Sequence, residues 1–185
     1  TEPSQLVVLL DTTAISCFGA SDGAVEAVAN GGTPGYSYNW TPGGNVNPQT
    51  ALGPGAYSVV VTDLNNCTAQ NNWTLVEPAL LTVAVSNTTD VSCFGGNDGT
   101  ATASAAGGTV PYSYVWTNVS SITSTATGFN QGNKTVTVTD NNGCQASATF
   151  IISEPAPLIA TVASTVDATC NTYQDGAIDI SVAGG

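Results

Sequence analysis

The sequence predicts an all-β chain of tandem immunoglobulin-like β-sandwich repeats, each of about 77 residues and placed end to end. Three observations support this prediction: short motifs recur at a fixed period, apolar and polar residues alternate along short segments, and turn residues separate those segments. A period of this size is typical of an array of one small domain. Such arrays serve reach or display more often than catalysis.

Two loops mark the repeats, because each returns at nearly the same interval. The pattern Cys-Phe-Gly-x-x-Asp-Gly at 17–23 returns at 93–99 and more loosely at 170–176. A Thr-Asp loop that ends in a second cysteine spans 62–67 and returns at 139–144. Glu-Pro pairs end the first two copies and form stiff joints. We therefore predict one sandwich at 4–78, a second at 79–155 and the truncated start of a third at 156–185.

Each repeat contains short segments with the period-2 alternation of a half-buried strand. In the first repeat an opening strand holds Leu6 and Val8, and a later strand before the Thr-Asp loop holds Val59 and Val61. Between them, Tyr-Ser-Tyr-x-Trp places three aromatic side chains on one face of a strand. A closing strand follows the second cysteine. The aromatic residues predicted for the core are Tyr36, Tyr38, Trp40, Trp73, Tyr112, Tyr114, Trp116 and Phe150.

The composition excludes several classes of function. The formal net charge is −12, with 13 acidic residues, no His and a single basic residue, Lys134. Nucleic acids and anionic membrane surfaces bind clusters of Lys and Arg, so we expect no nucleic-acid partner. Few side chains remain that act as general base or oxyanion stabiliser, so we expect no enzymatic activity.

The five cysteines occupy two recurrent positions, which predicts disulfides within repeats. The expected pairs are Cys17 with Cys67 and Cys93 with Cys144, and the partner of Cys170 is expected beyond residue 185. Alternatives are free thiols in a cytosolic repeat or a metal site, although the sequence has no Cys-x-x-Cys and no His. Disulfides predict an oxidising, extracytoplasmic setting.

The combined motifs resemble the SprB repeat of very large cell-surface adhesins of Bacteroidetes. They are Cys-Phe-Gly-x-x-Asp-Gly, Gly-Gly-Thr-x-x-Tyr-Ser-Tyr-x-Trp, Val-x-Val-Thr-Asp-x-Asn-x-Cys and Glu-Pro. The resemblance implies a tandemly repeated stalk that is exported by the type IX system and carried on the outer membrane, where surface motors move such adhesins in gliding. One departure is Lys134, which stands where the first repeat has Tyr57 and is expected to affect exposed detail only.

Recurrent aspartates raise the question of calcium, which prefers six to eight oxygen ligands. The simpler interpretation is that Asp-Gly forms a turn and that Thr-Asp forms a loop capped by its own side chain. No other cofactor is expected. The candidate calcium ligands are Asp22, Asp63, Asp98 and Asp140.

The function predicted from these features is the shaft of a secreted adhesin or filament that mediates attachment and gliding. The expected partners are neighbouring repeats, surface polysaccharide or other filament subunits, and the outer-membrane secretion and motility machinery. One alternative is a set of carbohydrate-binding modules, in which exposed Tyr or Trp would stack on sugars. Another is a spacer attached to a secreted hydrolase. The third copy, with open strand edges, is also a candidate for strand donation by another chain.

Overall fold

The computed structural model describes residues 2–171 and 173–185, and every regular element in these ranges is a β-strand. The prediction of an all-β fold is therefore confirmed. Within the same ranges, no helix is long and apolar enough to cross a membrane. The strands are β1 (Val7–Thr13), β2 (Gly23–Asn30), β3 (Ser37–Thr41), β4 (Gln49–Leu52), β5 (Gly55–Thr62), β6 (Thr68–Leu75), β7 (Thr82–Thr89), β8 (Gly99–Ala106), β9 (Ser113–Trp116), β10 (Thr125–Phe129), β11 (Gly132–Thr139), β12 (Gln145–Ile152), β13 (Ile159–Val166) and β14 (Ala177–Ala183).

The chain divides into two compact units whose borders differ from those of the sequence repeats. The first unit runs up to Thr82 and also includes Ala106–Tyr112 and Thr139–Gln145. The second unit consists of Val83–Ala105, Ser113–Val138 and Ala146–Gly185. Two segments of the second sequence repeat therefore group with the first unit. The repeat boundaries 4–78, 79–155 and 156–185 stay a prediction.

Two three-stranded sheets form the sandwich of the first unit, in the orders β1-β2-β4 and β3-β5-β6. All four strand pairs are antiparallel. Because successive side chains point to opposite faces, alternate residues of each strand face the other sheet. Trp40 lies opposite Val59, and Tyr38 lies opposite Val61. The buried cluster takes residues from both sheets: Val8, Val25, Ala27, Trp40, Val59 and Val61.

The second unit repeats this arrangement with the sheet orders β10-β8-β7 and β12-β11-β9. Three aromatic rings, those of Trp116, Phe129 and Phe150, pack edge to face, a geometry that aromatic pairs favour. Phe129 belongs to β10, a strand that the sequence pattern does not predict. The buried apolar residues of this unit include Val91, Ala101, Ala103, Trp116, Ala126, Phe129, Val136, Val138 and Ile152.

The strands β13 and β14 form a separate antiparallel pair within the second unit. Every residue of both strands is exposed, including apolar side chains such as Val162 and Ile180. They occupy the sequence positions of β1 and β2 in the first repeat. In that repeat, a second sheet covers one face of this pair.

Lys134 is a buried residue, which corrects the expectation that it affects exposed detail only. Its side chain is 4% exposed. The ammonium donates hydrogen bonds to Asn130 Oδ1 at 2.7 Å and to the Gln131 carbonyl at 3.3 Å. At the equivalent place, Tyr57 packs against Trp73 and donates its hydroxyl to the Gly53 carbonyl. A long aliphatic stem with a hydrogen-bonded polar end thus takes the place that a partly buried tyrosine has in the first repeat.

Candidate functional site

Two recurrent loops contain the cysteines and are the candidate site. We call residues 16–22, 92–98 and 169–175 the first-cysteine loops, and residues 63–67 and 140–144 the second-cysteine loops. The structure does not describe Thr172, so the copy at 169–175 is incomplete.

Each of the two complete first-cysteine loops is closed by its own aspartate and anchored by a distant glutamate. In the first, the Ser16 N–H donates to Asp22 Oδ1 at 3.0 Å, and the Gly19 N–H donates to Glu77 Oε2 at 2.6 Å. Hydrogen bonds from the side chain and the backbone N–H of Ser16 hold the pKa of Asp22 below its usual value. Glu77 is the glutamate of the Glu-Pro joint, and the motif alone does not predict this contact.

The loop at 92–98 has the same geometry. The Ser92 N–H donates to Asp98 Oδ1 at 3.0 Å, and the Gly95 N–H donates to Glu154 Oε2 at 2.8 Å. The pKa of Asp98 is lowered by the side chain and the backbone N–H of Ser92. The recurrence of Glu-Pro at the repeat period is the signal that would have identified both glutamates as loop anchors.

The second-cysteine loops are organised around a buried aspartate. Asp140 Oδ1 accepts hydrogen bonds from the N–H groups of Asn142 and Cys144, both at 2.9 Å, and Oδ2 accepts one from Thr109 at 2.8 Å. Burial raises the pKa of Asp140, but these backbone donors outweigh it and hold the pKa below its usual value. The carboxylate therefore fixes the position of the cysteine that ends the loop.

Asp63 holds the loop 63–67 in the same way. It accepts hydrogen bonds from the N–H groups of Asn65 (2.9 Å), Cys67 (2.8 Å) and Thr33 (2.8 Å). Its pKa is lowered, and the backbone N–H of Thr33 is the largest cause. The aspartate of each Thr-Asp motif thus caps its own loop, as the simpler interpretation of that motif proposes.

A disulfide joins Cys17 to Cys144, which corrects the predicted pairing. The two Cα atoms lie 5.8 Å apart, and both residues belong to the first compact unit. Beside the bond, Asn142 Nδ2 donates to the Ser16 carbonyl at 2.9 Å. The structure thus contains neither a Cys17–Cys67 nor a Cys93–Cys144 bond. Cys67, Cys93 and Cys170 are free and exposed.

The length of β6 explains why Cys17 and Cys67 do not pair. Cys67 immediately precedes β6, whereas the loop of Cys17 is anchored to Glu77, just beyond the other end of that strand. Its eight residues span about 26 Å at 3.3 Å per residue. The Cα atoms of a disulfide lie less than about 7 Å apart. The two cysteines of the first repeat are therefore at opposite ends of its sandwich.

A Gly-Gly turn holds the second-cysteine loop 140–144 in place. The Gly108 N–H donates to the Ala79 carbonyl at 2.7 Å. A Cβ on Gly107 would lie 2.0 Å from the Leu80 carbonyl oxygen, and one on Gly108 would lie 2.5 Å from Asp140 Oδ2. Both glycines have positive φ, at 78° and 57°. Close approach and backbone conformation together explain why the turn is made of glycine.

The four candidate calcium ligands belong to four different loops. The carboxylates of Asp22, Asp63, Asp98 and Asp140 accept hydrogen bonds from backbone N–H groups of their own loops. In the part of the chain that the structure describes, no group of three or more His, Cys, Asp or Glu side chains is placed to hold a metal ion. The geometry assigns these aspartates to the closure of loops.

The predicted core aromatics contribute to the two sandwiches to different degrees. Trp40 and Trp116 are each 3% exposed and have no free face for a sugar ring. At the edge of the core, Tyr36 and Tyr112 donate their hydroxyls to the carbonyls of Gly31 and Gly107. The partly buried members of the set are Tyr36, Tyr38, Trp73, Tyr112, Tyr114 and Phe150.

Comparison with solved structures shows the fold class. The chain is similar to the three N-terminal domains of the Highly Immunogenic Outer Capsid protein of bacteriophage RB49, with 17% identity and a TM-score of 0.53. This match covers 97% of the present chain and 69% of the phage protein fragment. At this identity the likeness shows the fold alone, and it supports the predicted tandem immunoglobulin-like sandwiches.

Two further solved structures match more weakly. A C-terminal intimin fragment, solved with the intimin-binding domain of its translocated receptor, matches with 15% identity, a TM-score of 0.42 and coverage of 86% of this chain and 67% of that one. The mouse nectin-like molecule 4 ectodomain matches with 12% identity, a TM-score of 0.35 and coverage of 80% and 63%. No curated protein matches the chain.

The family comparison gives a specific result. The model of the SprB repeat matches residues 9–45 and residues 85–121. Each match runs from the opening strand of a repeat, through its first-cysteine loop and Gly-Gly turn, to the Tyr-Ser-Tyr-x-Trp strand. The SprB repeat model thus matches the chain twice, and it describes the family that the motifs of the chain resemble.

Proposed function

We propose that this chain is part of the shaft of a large secreted adhesin or filament on a bacterial cell surface, where it serves attachment and gliding motility. The observation that carries the proposal is the pair of SprB repeats. The disulfide between Cys17 and Cys144 supports it, since such bonds persist in oxidising, extracytoplasmic settings. Export by the type IX system and a place on the outer membrane belong to the same proposal.

The proposed role is structural and non-enzymatic. The sequence has no His and one basic residue, Lys134, which is buried and hydrogen-bonded to the turn that precedes its strand. General acid-base catalysis most often uses His, and Arg, Lys or a metal ion often stabilises developing negative charge. The features that recur at the repeat period are hydrogen bonds that close loops. Loops fixed in this way suit a structural shaft.

Three kinds of partner belong to the proposal. Neighbouring repeats of the same chain are the nearest partners. Surface polysaccharide or other filament subunits are the proposed target of attachment, and the outer-membrane secretion and motility machinery is the proposed carrier. The net charge of −12 keeps adjacent filaments apart by repulsion, and this repulsion weakens as salt is added.

Antibody staining of the native host tests the proposed location. Fab fragments raised against the 185-residue chain are applied to intact cells and, in parallel, to permeabilised cells. We expect intact cells to stain as strongly as permeabilised ones. Staining that requires permeabilisation would contradict a surface location and would favour an intracellular scaffold.

The same Fab fragments test the proposed role in attachment and gliding. Added to living cells, they are expected to reduce the number of attached cells and the speed of their movement on glass. Fab fragments from pre-immune serum are the matched control. Cells that bind the specific Fab and still attach and move normally would contradict the adhesive role.

A further inference from the structure

The free Cys93 lies in a loop built like that of the bonded Cys17. In both loops a serine N–H donates to an aspartate, at 3.0 Å in each case. The glycine two residues after each cysteine donates its N–H to the glutamate of a Glu-Pro pair. These glycines have φ values of 75° and 72°. The loop of Cys93 therefore has the geometry in which Cys17 forms its disulfide with a second-cysteine loop.

The surroundings of Cys93 also repeat those of Cys17, up to the point where Gly185 ends the described chain. The Gly185 N–H donates to the Ala156 carbonyl at 3.0 Å, as the Gly108 N–H donates to Ala79. A Cβ on Gly184 would lie 2.1 Å from the Pro157 carbonyl oxygen, which matches the close approach at Gly107. The Gly-Gly turn that supports a second-cysteine loop is thus already formed.

A surface depression lies between this turn and Cys93. Cys93, Phe94, Pro155, Pro157 and Gly185 are among the residues that line it. At the equivalent place in the first unit, the loop 140–144 lies against Gly108 and is bonded to Cys17. The depression therefore has the position that the second-cysteine loop of a complete third repeat would occupy.

We propose that disulfides in this array are offset by one repeat, so that the first cysteine of each repeat bonds the second cysteine of the next. Cys93 and its depression then receive the Thr-Asp-x-x-x-Cys loop of a complete third repeat. Two thiols lose two protons and two electrons and form one S–S bond. The oxidant is another disulfide, such as oxidised glutathione, which takes up the two protons and the two electrons and becomes two thiols.

The free Cys67 lies at the opposite end of the first sandwich from Cys17. The offset pairing places there a cysteine that bonds to a preceding repeat. The loop of Cys67 is fixed by Asp63, and a second depression there is lined by Pro3, Gly32 and Cys67, among other residues. In the offset pairing, this depression receives the first-cysteine loop of a preceding repeat. One rule thus accounts for the bond at Cys17 and Cys144 and for the three free cysteines. It goes beyond the proposed function, since it holds whatever surface the array is attached to.

The test completes the third repeat. A copy of residues 109–155 is appended after Gly185, with Asn141→Gln in the copy only, so that its peptide has a different mass from the native one. The extended chain is oxidised in a glutathione buffer, treated with N-ethylmaleimide and digested with pepsin at acid pH. We expect mass spectrometry to find Cys93 linked to the appended copy of Cys144, Cys17 linked to the native Cys144, and maleimide on Cys67 and Cys170.

Two results would overturn the proposal. One is a bond between Cys170 and the appended cysteine, which is the pairing within a repeat. The other is maleimide on both Cys93 and the appended cysteine. The control is Cys93→Ser in the extended chain, which is expected to leave the appended cysteine alkylated while the Cys17–Cys144 bond still forms. Because the assay uses purified protein, its failure is distinguishable from a failure of the surface location.

Discussion

Cys17 is bonded to Cys144, which is 127 residues away in the sequence, and not to Cys67 of its own repeat. The bond closes a loop that contains most of the first two repeats. Within that loop, Glu77 anchors the loop of Cys17, and Asp140 positions Cys144. In an array, bonds of this kind would resist the separation of consecutive repeats, whereas bonds within repeats would stabilise each sandwich singly.

Removal of the disulfide is expected to lower stability. Cys17→Ser and Cys144→Ser should each reduce the free energy of unfolding by up to about 5 kcal/mol, the chain-entropy value for a loop of this length. The double variant should lose no more than either single one. Far-UV circular dichroism during heating measures the effect. Cys93→Ser, in the equivalent but unbonded loop, is the matched control, and an equal loss in this variant would contradict the account.

Acid is expected to destabilise the chain, because the pKa values of five aspartates are lowered in the folded state. Below the usual value of 3.8, the unfolded chain binds protons more readily than the folded one. The stability that these groups contribute is complete above that pH and is lost as the pH falls through the lowered pKa values. Melting temperatures measured between pH 7 and pH 2.5 should therefore fall below pH 4.

The double variant Asp63→Asn/Asp140→Asn is the control for this pH dependence. It is expected to be less stable at neutral pH, because an amide nitrogen would face a backbone N–H in each loop. Its melting temperature should also fall less steeply in acid. Asp11→Asn, at an exposed site on β1, should change neither property. A parent chain that gains stability below pH 4 would show that relief of repulsion among its 13 acidic residues dominates.

Gly107→Ala is expected to be strongly destabilising. The added Cβ would lie 2.0 Å from the Leu80 carbonyl oxygen, so the backbone of the turn would have to move. Gly95→Ala is the matched control, since its φ of 72° is close to the 78° of Gly107 and a Cβ there would meet nothing within 4 Å. The control should lose only about 1–2 kcal/mol, the cost of a left-handed alanine. Equal losses in the two variants would contradict the close approach.

Trp116→Phe is expected to cost about 1 kcal/mol more than Trp40→Phe. Trp116 Nε1 donates to the Thr123 carbonyl at 2.9 Å, whereas Trp40 Nε1 is buried and has no partner among the described residues. Both changes remove the same indole volume from a core, so the difference isolates the hydrogen bond. Urea unfolding followed by circular dichroism compares them, and a larger loss for Trp40→Phe would contradict the assignment.

The strands and the sheet faces could be predicted from the sequence because they depend on local alternation. The Tyr-Ser-Tyr-x-Trp segments form β3 and β9, and each ends its face with a buried tryptophan. Phe129 could not be predicted in this way, since its strand β10 shows no clear alternation. Lys134 was also missed, because burial of a charge depends on acceptors that only the folded turn supplies.

The disulfide could not be predicted from cysteine spacing, because pairing depends on distances in space. Nearly equal separations within repeats suggest one bond per repeat. The same sequence also permits a bond to the next repeat, and only the length of β6 and the anchor at Glu77 decide between the two. The recurrence of Glu-Pro marks the right position, but the motif alone predicts only a joint.

A disulfide map of the 185-residue chain tests the central claim most directly. The oxidised protein is alkylated with N-ethylmaleimide, digested with pepsin and analysed by mass spectrometry without reduction. We expect one linked pair, Cys17 with Cys144, and maleimide on Cys67, Cys93 and Cys170. Linked pairs of Cys17 with Cys67 and of Cys93 with Cys144 would contradict the account and would restore bonds within repeats.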